Sequence, residues 1–337
     1  MRAILPLPAG GFGLQDVPPP GLAPGEALVE MRVCGLCGTD LAKLARPGET
    51  AGVRLGHELA GVVRAVGPGA RTVAPGDRVT AAHHVPCGSC QACRHGNESM
   101  CAQFKATAID PCGFAELVRF SRLHTEQVMF RLPEGMSFEA ASFTEPLACA
   151  VRAVERSRVQ PGDRLLVVGG GSMGLLIAQA VRARGATPII ADIREERLLL
   201  ARALGIPATT GPLREPRPEG ATFCAGGLDG AILTVVNQTL LSDVQRLLAP
   251  GGRLNIFAGP TGGSRLSLDF DDLYHRELTL FATYSSTPAT LAEAFRLLAD
   301  GIVRVEPLIS HRLPLTAFAE GVRLQREGRA VKVLFHP

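Results

Sequence analysis

Short apolar runs broken by turn residues open the chain: EALVEMRVCG, LAGVVRAVGPG, GDRVTAAHHV and GFAELVRF, with Pro and Gly between them. That pattern predicts a mostly β, loop-rich domain over 1–145. The texture then changes, because RLLVVGG, TPIIADI, LDGAILTVV, GGRLNIFAG and LTLFATY are apolar β-runs separated by helix-like stretches such as SMGLLIAQAVRARG and REERLLLARALG. Strands alternating with helices predict a parallel sheet covered on both faces, over 146–288. Past it, the helical TLAEAFRLLADG leads into VRVEPLISHRLPL and AVKVLFHP, whose β texture matches the first part. Residues 289–337 are therefore expected to return to the first domain. The fold class is α/β, with a doubly wound parallel unit and a second, mostly β unit.

A length of 337 residues suits about two domains of this kind. The formal charge of +3 is weak, and the arginines form no basic stripe backed by aromatics, which argues against nucleic acid or a membrane surface as partner. No basic stretch followed by an apolar core opens the chain, and no run of about eighteen apolar residues occurs. The expectation is a soluble, cytoplasmic protein.

Such a compartment keeps thiols reduced, so nine cysteines point to metal or catalysis before disulfides. Four of them, Cys87, Cys90, Cys93 and Cys101, lie in CGSCQACRHGNESMC with spacing C-x2-C-x2-C-x7-C. Four soft ligands from one lobe close a tetrahedron on Zn²⁺ and leave no open position, which makes this a structural site. His83, His84 and His95 nearby are left as loop residues. Cys34, Cys112 and Cys224 are most simply small buried residues.

RLLVVGGGSMGLLIAQA carries Gly169, Gly171 and Gly174 in the pattern G-x-G-x-x-G, directly after an apolar strand and before an amphipathic helix. The first glycine makes the tight turn, the second admits a pyrophosphate, and the third lets helix and strand pack. Met173 belongs to the same loop. Asp192 closes the next strand, about twenty residues on, where a carboxylate accepts hydrogen bonds from an adenosine ribose. It favours NAD over NADP by repelling a 2′-phosphate, a repulsion that Arg194 and Arg197 soften.

A dispersed set completes the chemistry: Cys37 in GLCGTD, His57 and Glu58 in LGHELAG, and Glu145 in TEPLACA. Each alone is weak, since a single His in a β-rich domain is more often structural than a ligand. Together, GLCGTD, GHELAG, GDRV, the four-cysteine lobe, EPLACA and VVGGGSMG stand in the order and spacing of the zinc-containing medium-chain alcohol dehydrogenases. The chain resembles the polyol, sorbitol and threonine dehydrogenase branch over essentially its whole length.

The resemblance implies a GroES-like catalytic domain made from both ends of the chain and a Rossmann domain between them. By position, Cys37 and His57 match the catalytic zinc ligands, and Glu58 matches a neighbouring carboxylate that is ligand or outer partner. Glu145 matches the branch's further carboxylate, direct or through water, with Cys149 as the alternative. Thr39 matches the hydroxyl of the proton relay, and Arg197 a cofactor-contacting arginine. The implied reaction passes a hydride from a secondary alcohol or polyol to NAD⁺ while zinc stabilises the alkoxide and Thr39 takes the proton. It also implies two zinc per chain and a homo-oligomer, dimer or tetramer.

Departures leave the substrate open. Ala42 and Lys43 stand where threonine and sorbitol dehydrogenases usually carry His and Tyr, and Ala282 and Thr283 stand near the arginine of animal-type sorbitol dehydrogenases. The competing readings are a zinc-free, NADPH-dependent quinone reductase of the same superfamily and a non-catalytic dinucleotide sensor on the same fold.

Overall fold

In the computed structural model the described residues are 1–7, 11–45, 52–210, 226–259 and 265–337. Cys224 lies outside them. The chain forms two compact units, Met1–Ala148 with Ser286–Pro337, and Cys149–Ser285. The changeovers expected from the sequence were 145/146 and 288/289.

Among the described residues, the first unit is built on a seven-stranded, largely antiparallel sheet. Strand Ala27–Gly35 is its centre, paired antiparallel with Glu58–Val66 on one side and with Val333–His336 on the other. The last strand reaches it because its apolar residues Val333, Leu334 and Phe335 are all buried. Phe335 packs its ring 5.4 Å from both Phe114 and Phe318. Burying an aromatic of this size contributes about 2–3 kcal/mol, enough to hold a four-residue strand in place. Leu334 pairs with Gly35 and Phe335 with Cys34, so the end of the chain lies against the turn that leads to Cys37.

The second unit carries a six-stranded parallel sheet. Its strand order places the third, second, first, fourth, fifth and sixth strands side by side, starting from Ala208–Thr209 and ending at Thr279–Ala282. That reversal at the first strand, Arg164–Val168, is the doubly wound dinucleotide-binding topology, and its switch point lies where the glycine loop begins. Leu166, Ile189, Leu233 and Leu254 point into one apolar core with Leu241 and Val244 of helix Gln238–Leu247. No helix among the described residues is long and apolar enough to cross a membrane.

Candidate metal centres and nucleotide-binding loop

Cys37 caps the helix Gly38–Leu44, and its backbone N–H donates to the Asp40 carboxylate at 3.1 Å. The second strand of the central pair brings its partners, since the turn before Glu58–Val66 presents His57 and Glu58. One donor atom from each of Cys37, His57 and Glu58 lies within 4.8 Å of the others. Thiolate, imidazole and carboxylate in that proximity are a donor set that fits a zinc ion.

Asp40, which the sequence reading passed over, is fully buried. Its Oδ1 accepts from Gly56 N–H at 2.9 Å and stands 3.6 Å from His57 Nδ1. Burial works to raise its pKa, yet the facing His57 and the Gly56 N–H hold it below the usual carboxylate range. Its carboxylate therefore faces Nδ1 of the ring and leaves Nε2 as the ligand atom, the arrangement by which outer carboxylates orient metal-bound histidines. The exposed Thr39 hydroxyl lies 3.4 Å from that Nε2. A first-turn aspartate inside CGTD is a signal the sequence contained; its register against His57, seventeen positions on, needed the sheet.

Glu145 is buried in the first turn of helix Thr144–Arg156, and Cys149 follows one turn later, also buried. Glu145 lies outside the group of donor atoms that are all within 4.8 Å of one another.

His83 and His84, expected as loop residues, stack in a column against the site. The His57 and His83 rings are 4.6 Å apart and the His83 and His84 rings 3.8 Å. Burial, then the neighbouring His57, push the His83 pKa well down, so this ring stays neutral. His84 Nδ1 meets the Thr107 carbonyl at 2.6 Å. His95 remains on an exposed turn.

In the cysteine lobe, Cys87 and Cys93 sulfurs are 3.9 Å apart, and Cys90 and Cys93 sulfurs 3.5 Å. A tetrahedron of sulfurs at about 2.3 Å from zinc has edges of about 3.8 Å, whereas a disulfide needs about 2.05 Å. All four sulfurs lie within 4.8 Å of one another. Backbone N–H groups aim at them: Cys90 N–H donates to Cys87 Sγ at 3.3 Å and Cys87 N–H to Cys101 Sγ at 3.4 Å. The N–H groups of Ser89 and Cys90 bring the Cys87 thiol down to about 6, while burial and then the neighbouring thiols push Cys93 up to about 12. Four thiols this close do not all ionise without a cation among them, which is what a closed zinc site supplies.

Cys34 and Cys112 are buried in the core of the first unit. Burial, followed by the Asp40 and Glu58 carboxylates, pushes the Cys34 thiol well up, which leaves it inert beside Cys37.

In the parallel unit, Gly169 has φ +101, a left-handed conformation that side chains rarely adopt. A Cβ on Gly174 would overlap the Gly169 carbonyl, so loop and helix Ser172–Ala183 touch backbone to backbone. A Cβ on Gly171 meets nothing nearer than Arg197 Nη1 at 3.8 Å. Nothing in the chain crowds position 171, so the space over it is open to an anionic group at the helix N-terminus. Met173 is half-buried in the first turn of that helix.

Asp192 braces this loop as well as ending the second strand. Its Oδ2 accepts from Gly170 N–H at 2.6 Å and lies 3.5 Å from Arg197 Nη1, while Oδ1 accepts from Arg194 N–H at 2.9 Å. A pocket of about 1030 Å³ opens here, lined among others by Gly169, Asp192, Ile193, Arg197, Val235 and Asn237. Ile193 and Val235 are exposed apolar side chains in its wall, which suits the flat face of a base.

A β unit with a four-cysteine lobe and a Cys–His–Glu group, joined to a doubly wound unit with a glycine loop and an aspartate after the second strand, is the layout of the medium-chain dehydrogenase class. Comparison with known proteins agrees: residues 23–133 match the Alcohol dehydrogenase GroES-like domain and residues 172–300 the Zinc-binding dehydrogenase family. D-altritol 5-dehydrogenase of Agrobacterium fabrum is 35% identical over 94% of this chain and 93% of its own. A zinc-binding dehydrogenase of Sinorhizobium meliloti, solved bound to NADP, superposes with TM-score 0.88 at 29% identity, covering 100% of this chain and 99% of that one. Galactitol-1-phosphate dehydrogenase of Escherichia coli does so with TM-score 0.87 at 27% identity, covering 100% of both chains. The chain belongs to the zinc-binding alcohol dehydrogenase family.

Proposed function

We propose that this protein oxidises a secondary alcohol or polyol with NAD⁺ at a zinc held by Cys37, His57, Glu58 and Glu145, the last directly or through water. The convergence of Cys37, His57 and Glu58 within 4.8 Å, with the Thr39 hydroxyl at His57, carries the reading. When bound, the zinc lowers the pKa of an alcohol and the nicotinamide accepts the hydride. Thr39, exposed beside the ligand imidazole, is placed to take the proton that the substrate hydroxyl loses. Asp40 holds the His57 ring in register while this happens. The cysteine lobe holds a second zinc that does no chemistry.

The substrate class is supported by the relatives, which act on altritol and on galactitol 1-phosphate by their names. A panel of polyols, sugars, 3-hydroxy amino acids and simple secondary alcohols, followed at the nicotinamide absorbance, tests it. We expect turnover on at least one polyol or secondary alcohol; activity on none would leave the dinucleotide-sensor alternative standing. Eight free cysteines among the described residues suit a reducing compartment, which supports a cytoplasmic location. The homo-oligomer is supported by the edge strand Thr279–Ala282 and the exposed Phe270, Tyr274 and Tyr284 in the same unit. Light scattering that finds only monomer refutes it.

The choice of NAD rests on Asp192. Asp192→Ala is expected to raise the NADP⁺ to NAD⁺ ratio of kcat/KM by about tenfold, about 1.4 kcal/mol, by removing repulsion of a 2′-phosphate. Because the same carboxylate braces Gly170 N–H, both cofactors should also bind more weakly in the variant. A wild-type protein that prefers NADP⁺ overturns the assignment.

A further inference from the structure

Lys43 is a cation beside the site that the proposed reaction does not use. It stands in the last turn of helix Gly38–Leu44, the helix that Cys37 caps. Thr39 lies four positions before it, so the two share a face of the helix about one turn apart. The Thr39 hydroxyl is the one that meets His57 Nε2 at 3.4 Å. Lys43 is half-buried, and its Nζ donates to the Arg54 carbonyl at 2.8 Å, three residues before His57. A lysine at a helix end also suits the macrodipole, but that role needs no such anchor. The bond leaves the ammonium further N–H groups to donate. Burial comes first among the causes that hold His83 and His84 low, and the Lys43 charge adds to it in both. Its field therefore reaches the two rings that stand beside His57.

We propose that Lys43 selects the substrate by charge: a polyhydroxy chain that ends in an anion, carboxylate or phosphate, with its reacting hydroxyl toward Cys37, His57 and Thr39 and its anionic end at the ammonium. The inference rests on the dehydrogenase reading of this site and narrows its substrate class. The helix's own carboxylate, Asp40, is already engaged with Gly56 N–H, Cys37 N–H and His57, which leaves the ammonium to an outside partner. An anion brought there exchanges water for a charge-assisted hydrogen bond, and a half-buried position screens that bond less than open solvent does. A neutral polyol of the same length gains nothing comparable. Because the anionic end sits away from the reacting carbon, the contact is made equally in ground state and transition state, so its loss falls on KM.

Three matched sets test it: altritol, galactitol and glucitol, each with its aldonate and its terminal phosphate. Initial rates give kcat/KM, and calorimetry on the zinc-loaded protein with NADH bound in place of NAD⁺, where no hydride can leave the alcohol, gives Kd. In at least one set the anionic member is expected to be favoured about tenfold in both, mostly through KM. Lys43→Met is expected to bring that ratio to about one, Lys43→Arg to keep it, and rising salt to shrink it. Whether the aldonate or the phosphate leads says which anion the site takes. Neutral members equal or better in every set that is turned over overturn the proposal, and so does a Lys43→Met that keeps the wild-type ratio. Turnover of simple secondary alcohols with none of the sets overturns it as well, while leaving the dehydrogenase reading intact; turnover of nothing overturns both. Thermal melting reports folding, and if Lys43→Met does not fold, Lys43→Gln takes its place.

Discussion

Glu145→Ala is expected to lose about a hundredfold or more in turnover, in catalytic zinc occupancy or in both, whereas Cys149→Ala keeps both within a few-fold. The two residues share one face of helix Thr144–Arg156, one turn apart, and both are buried. Ligation by both would crowd the position a substrate needs. A carboxylate is harder and more labile than a thiolate, which suits exchange of water for a chelating polyol. Glu145 is therefore the proposed partner of Cys37 and His57, and Cys149 packs as a small apolar side chain whose loss removes one sulfur from a core. Zinc analysis and steady-state rates on the two variants decide the matter. The reverse pattern would move this protein towards the simple alcohol dehydrogenases and change the substrate with it.

Cys93→Ser is expected to lower the melting temperature by about 10 °C and to remove the lobe's zinc, with chemistry per folded site altered little. Serine offers a hard oxygen where zinc wants thiolate, and the remaining sulfurs cannot close the tetrahedron. The Cys93 sulfur lies 3.5 Å from that of Cys90 and 3.9 Å from that of Cys87. Helices of four and five residues, Gln91–Arg94 and Ala102–Ala106, make up most of the lobe's regular structure, too short to stand without a cross-link. Unchanged melting and zinc content in this variant would count decisively against a structural site.

What the sequence by itself determined are the features whose parts lie close along the chain. The four lobe cysteines fall within CGSCQACRHGNESMC, so spacing alone was enough to expect their four sulfurs in one group, as the structure has them. The glycine loop is likewise local, because a turn, a strand end and a helix start are consecutive, and alternation of strand and helix was enough to expect the parallel unit. The family followed from six short motifs in order, and comparison with known proteins bears it out. The tertiary structure decided everything that depends on register between distant strands. Asp40 faces His57 only because the helix after Ala27–Gly35 meets the turn before Glu58–Val66. His83 and His84 read as loop residues because nothing local brings them to His57, yet the strand Arg78–Ala81 pairs with Glu58–Val66 and stacks their rings on it. Asp192 stood out in sequence as a candidate ribose carboxylate, whereas its grip on Gly170, a bond across the end of the sheet, needed the structure. Lys332 carried no signal at all: a lone lysine between valines, 274 residues from Glu58, meets that carboxylate only when burial of Phe335 and its neighbours draws the last strand against Ala27–Gly35. Apolar burial sets that approach, and the charges meet as its consequence.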